Sequence, residues 1–128
     1  MREKAVGWVE LSDYDFDTAR ALFSAQRYMY IGLMCHRTIE AILKAYWCNV
    51  LEEPLSETRH LGQLAGETGI IIEFSEDQID FIDELEPLNR VVLNPSDRER
   101  FMKALTPNYC KELLTRTSAL RQWVKSRL

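Results

Sequence analysis

Histidine and cysteine are scarce in this chain, with two and three in 128 residues. Cys35, Cys48 and Cys110 form no C-x-x-C pair, and His36 and His60 are too few to complete a tetrahedral shell, so no metal site is expected. Three unpaired thiols read as free cysteines in a reducing compartment. Glycine and proline number only five and four. They fall where helices should stop, which leaves no linker, repeat or low-complexity tract. No window approaches the roughly 18 apolar residues of a membrane span. The start, Met1-Arg2-Glu3-Lys4, leads into an amphipathic stretch and lacks the apolar run of a signal peptide. A cytoplasmic location, away from any membrane, is therefore expected.

A basic excess is also missing. Sixteen Lys and Arg face twenty Asp and Glu, for a net charge of −4. Phosphate binding rests on clustered cations, so the chain as a whole is no free-standing nucleic-acid grip, although a local basic pocket stays open. The phosphate-cradling glycine loop, G-x-S-x-G and H-E-x-x-H are absent. So is the nucleotidyltransferase pattern of Gly-Ser followed by paired aspartates. No cofactor is implied.

What is present is a globular composition, 46% hydrophobic and 28% charged, in a length suited to one domain over residues 1–128. Trp8, Ser12, Phe16, Ala19 and Phe23 recur at helical steps and predict a first helix from Lys4 to Gln26. Asp15 falls at the edge of that face, where a charge needs a partner or an opening to solvent. A second helix, Tyr28 to Leu51, is apolar over a wider arc through Ile31, Cys35, Ile39, Ile42 and Tyr46, flanked by Met34 and Trp47. It is expected to be central, with Gly32 permitting close packing. His60 to Thr68 reads as a short helix stopped by Gly69. Ile70-Ile71-Ile72 reads as a packed loop, since a lone strand has no partner.

Ser75-Glu76-Asp77-Gln78 is a capping box opening a fourth helix, with Pro87 as a kink and Asn94-Pro95 as the stop. Ser96-Asp97-Arg98-Glu99 reads as a second capping box, for a short helix to Leu105. Thr106-Pro107 opens the last helix, whose Cys110, Leu113, Thr117, Leu120 and Val124 form a bundle seam. The expected fold is all-α, an antiparallel four-to-five-helix up-and-down bundle.

Several motifs fall in an order that resembles the HEPN domain family. They are Trp8-x6-Asp15-Phe16-x2-Ala19, Arg27-Tyr28 at the joint, Glu40-Ala41-Ile42-Leu43-Lys44-Ala45 on the second helix, Thr58-Arg59-His60-Leu61-x2-Leu64, and Trp123-Val124 near the end. The resemblance implies a homodimer acting beside a minimal nucleotidyltransferase protein in a toxin–antitoxin-type pair, with a nucleotide or RNA as ligand. Two departures bear on activity. His36-Arg37 stand where the family often has paired glutamines. Ribonuclease members carry a His soon after an Arg near the end of the fourth helix, and Arg90 is followed by none. The resemblance therefore implies a binding module rather than an enzyme. The alternatives are a metal-independent endoribonuclease toxin with Arg90 as phosphate clamp, or a structural helical adaptor.

Candidate binding residues form two groups. Arg90, Asn94 and Asp97 gather near the end of the predicted fourth helix, where Arg suits phosphate and the amide offers donor and acceptor; the bland reading is a solvated helix end. His36, Glu40 and Lys44 make one stripe at i, i+4 and i+8, with Arg37 beside it. That stripe faces an inter-helix cleft, or Glu40 and Lys44 are a plain surface pair. Asp15 is expected to pair with Arg37 or Lys44. His60 is expected to cap or pack. Independently of the resemblance, the wide apolar arc with Met34 and Trp47 suggests a face for a second copy.

Overall fold

The computed structural model describes residues 1–128, and every regular element is helical. The order is α1 (Glu3–Ser24), α2 (Ile31–Val50), α3 (Leu61–Thr68), a 3-10 turn at Ile70–Glu73, α4 (Glu76–Leu85), a second 3-10 turn at Glu86–Leu88, α5 (Pro95–Ala104) and α6 (Pro107–Lys125).

Contacts between helix ends give the directions. The Arg2 side chain, just before α1, donates to the Leu51 carbonyl at 2.8 Å beyond the end of α2, so α1 and α2 run antiparallel. Near the start of α6, the Cys110 thiol points at the Tyr28 carbonyl; further along, Lys125 reaches Asp13 at 3.4 Å. This makes α6 antiparallel to α1. Phe74 packs edge-on against Trp123, and Glu84 accepts from the Tyr109 hydroxyl at 2.7 Å, so α4 runs against α6. The expected up-and-down bundle is therefore present as α1, α2, α4 and α6, with α3 packed on α2.

The centre is α2, as its wide apolar arc predicts. Ile31, Cys35, Ile39, Ile42 and Leu43 are fully buried. Gly32 is explained by proximity: a Cβ there would lie 3.1 Å from the Leu88 side chain. Trp47 is buried with its indole N–H on the Glu53 carbonyl, and Met34 packs against the core. Within this one chain the arc is covered, so it no longer argues for a second copy. On α1 the buried face is Ala5, Val9, Ser12, Phe16 and Ala19, with Trp8 half-buried at its margin.

The stops divide into those read correctly and those displaced. Ser75 and Gln78 form the reciprocal capping box, Gly69 ends α3 at φ 82°, and Thr106 accepts from the Tyr109 amide with Pro107 in the first turn. Ile70–Glu73 is a 3-10 turn rather than a strand. Pro87, however, does not kink a continuing helix. It has no N–H to donate and crowds the preceding turn, so α4 ends at Leu85 and the chain tightens into a 3-10 turn. The second capping box is also displaced. Asn94, not Ser96, caps α5, accepting from the Asp97 amide at 2.9 Å with Pro95 in the first turn.

Candidate functional site

Where α1 and α2 lie side by side, a groove of about 380 Å³ opens, closed at one end by the chain that follows α2. Trp8, Leu11 and Asp15 come from α1, and Arg37, Glu40, Ala41 and Lys44 from α2. Residues 55–57 and Arg59 form the far wall. Helical spacing accounts for the first two sets. Positions 8, 11 and 15 share one face of α1, and positions 37, 40, 41 and 44 share one face of α2.

The charges are arranged in pairs. Lys44 donates to Glu40 at 2.9 Å, and both side chains are largely withdrawn from water, 8% and 12% exposed. This is not the surface pair that spacing alone allows. The Lys44 ammonium also sits 5.1 Å from the Trp8 ring centroid, a cation–π distance. Asp15, itself buried, lies 3.7 Å from the half-exposed Arg37 guanidinium, one of its two expected partners. Burial pushes the Asp15 carboxyl above the usual carboxylate range; Arg37 opposes that shift and Glu40 adds to it. Arg59 has no carboxylate partner and is exposed.

Beneath the groove lies His36, fully buried, with neither ring nitrogen hydrogen-bonded. Nδ1 is 3.6 Å from Glu40 and Nε2 is 3.8 Å from Glu86. Both carboxylates are otherwise engaged. Glu40 holds Lys44, and Glu86 accepts the Leu61 and Gly62 amides at 2.5 and 3.2 Å, satisfying the start of α3. Burial, then Arg59, His60 and Lys44, holds the imidazole down at about 4. His60 caps α3, its Nδ1 accepting from the Gln63 amide at 3.1 Å, and shares Glu86 at 3.7 Å. No three His, Cys, Asp or Glu side chains are arranged to hold a metal.

The second group of sequence candidates lies elsewhere. Arg90 is exposed in the segment between the Glu86–Leu88 turn and α5, and it does not line the groove. Asn94 is the α5 cap, and Asp97 pairs with Arg100. That hydrogen bond, with help from Arg90, holds the Asp97 carboxyl below its usual range. Arg90 therefore lies apart from the groove that Glu40 lines, because α4 stops at Leu85 and the chain leads on to α5 instead. Asn94→Ala should remove one capping bond, costing about 1 kcal/mol. Amide exchange should quicken in α5, while exchange in α1 and α2 stays unchanged.

Sequence reading missed Arg59, Glu57 and Glu86 as neighbours of this site. Only the fold-back of residues 51–60 and the stop at Leu85 bring them in, and neither has a periodic signal.

A family model described as HEPN domain matches residues 5–127. The fold is similar to that of a solved protein, described as the crystal structure of TT1696 from Thermus thermophilus. The TM-score is 0.81 at 15% identity, over 99% of this chain and 100% of that one. At that identity the likeness is one of fold. No curated protein matches the chain.

Proposed function

This chain belongs to the HEPN domain family, and on that premise we propose that the α1–α2 groove binds a nucleotide or a short stretch of RNA. Arg59 and Arg37 take the phosphate, the first engaged in no ion pair and the second beside Asp15. The Trp8 ring offers a face for a base, and Asp15 and Glu40 accept from amino or hydroxyl groups. The observation that supports this most is the gathering of Trp8, Arg37, Arg59 and a withdrawn Glu40–Lys44 pair in one cleft, where three cations balance the carboxylates of Asp15, Glu40 and Glu57 in a chain of net charge −4. The protein then acts in the cytoplasm as a homodimer beside a minimal nucleotidyltransferase partner, in a toxin–antitoxin-type pair.

Binding is favoured over RNA cleavage because cleavage needs a base able to take the ribose 2′-hydroxyl proton. His36 is sealed from solvent, and His60 commits Nδ1 to a helix cap.

Calorimetry with ATP and with oligouridine tests the reading. Arg59→Ala should weaken binding by roughly tenfold, as expected on losing a charge-assisted contact, and a double change with Arg37→Ala by more. Absence of binding by either ligand, or indifference to Arg59→Ala, would leave the adaptor reading. RNA cleavage that Arg59→Ala abolishes would instead establish the ribonuclease.

A further inference from the structure

On the opposite end of α1 a second groove, of about 350 Å³, forms between the α1–α2 joint and α5. It shares no residue with the first. Its charged lining residues are Arg27 and Arg98, with no carboxylate among them. Neither arginine has an ion-pair partner, whereas the other cations of α5 do: Arg100 with Asp97 and Lys103 with Glu99. The apolar part of the lining includes Tyr28, Met29, Tyr30 and Met102. Arg98 and Met102, at i and i+4, present one face of α5 to the groove.

Helix α5 itself buries no residue, and only Phe101 packs partly against the core. Met102 stands 51% exposed on it. A helix held so lightly, with its unpaired cation and its methionine turned to the same cleft, lacks a partner on that side.

From this juxtaposition we infer that the α1–α2 joint and α5 together form a docking site for an acidic, amphipathic segment of a partner protein. Carboxylates of that segment pair with Arg27 and Arg98, and an apolar side chain lies on Met29 and Met102, whose flexible thioethers adapt to varied shapes. Charge decides the occupant. A second copy docking through the same patch would lay this carboxylate-free lining on an identical one and bring arginines against arginines, because a two-fold interface pairs a surface with itself. A polynucleotide needs a longer track of cations, whereas this lining offers two and the other cations of α5 are already paired with Asp97 and Glu99.

Selection of a random helical peptide library on the intact protein tests this. Binders are expected to be rich in Glu or Asp interleaved with Leu, Met or Phe. Arg27→Ala and Arg98→Ala should each weaken them roughly tenfold. Both side chains are exposed, so folding is retained. The double variant Arg27→Glu with Arg98→Glu should lose the binders and regain binding to the same peptides with Glu changed to Lys. Peptides without acidic enrichment, or binders indifferent to both arginines, would overturn the inference. So would oligouridine bound with the same arginine dependence, or dimerisation that Arg98→Glu strengthens. Since the two grooves share no residue, failure here leaves nucleotide binding in the α1–α2 groove untouched, and the reverse holds.

Discussion

Lys44→Ala is expected to lower the stability of the fold by about 3 kcal/mol, the loss seen when a buried ion pair keeps only one charge. Glu40 is 12% exposed and Lys44 8% exposed, so little water is available to replace the ammonium. The truncation also uncovers the Trp8 ring. The diagnostic is the double variant. Adding Glu40→Gln removes the stranded charge and should restore most of the loss, a coupling of roughly 2 kcal/mol in a double-mutant cycle. Urea unfolding of the four proteins measures it. Additive losses would mean that Lys44 acts through packing alone. A second signature concerns His36, 3.6 Å from Glu40. Once Lys44 is gone, the free carboxylate draws a proton onto the imidazole. The deficit of Lys44→Ala should therefore be smaller at about pH 5 than at about pH 8.

The native protein should show the opposite trend at His36. Its folded pKa, about 4, lies below the ordinary 6.5. As pH falls through 6.5, the unfolded chain takes up this proton first, so it binds more protons than the native state until pH reaches about 4. Stability contributed by the neutral ring is thus complete above 6.5 and lost between 6.5 and 4. The full difference corresponds to about 3 kcal/mol at roughly 1.36 kcal/mol per unit. His36→Gln, which stays neutral, isolates the effect because every other titration cancels in the comparison. The two stability curves should run parallel above about pH 7 and diverge below it, the native protein falling faster. Parallel curves throughout, or an imidazole titrating above 6.5 by NMR, would mean that Glu40 and Glu86 outweigh burial.

Both expectations concern a polar layer that the sequence half disclosed. The i, i+4, i+8 spacing of His36, Glu40 and Lys44 put them on one stripe, and Asp15 was conspicuous on an apolar face. Period alone cannot say whether a stripe meets water or another helix. Here α1 covers it, so a pair that spacing equally allows at the surface is withdrawn from solvent.

Helix positions and the central role of α2 were legible because each rests on local rules. Apolar residues at steps of three and four must share a face, Ser75 and Thr106 must satisfy free amides, and Gly69 can take a left-handed turn where other residues resist. Two boundaries were misread for equally local reasons: Pro87 stops α4 instead of bending it, and Asn94 outcompetes Ser96 as a cap. Those shifts move Asn94 and Asp97 from the end of the predicted fourth helix to the start of α5, and Arg90 to the segment before it.

The amino-acid order alone thus determined an all-helical bundle, its family and the residues able to carry charge. Tertiary structure decided which groups are brought together: Asp15 with Arg37, Glu86 with the α3 amides, and Arg27 and Arg98 onto one groove. The reason is range. Helix formation and capping are settled within four residues, whereas these groups lie 22 to 71 positions apart in the chain and come together only once the helices have packed.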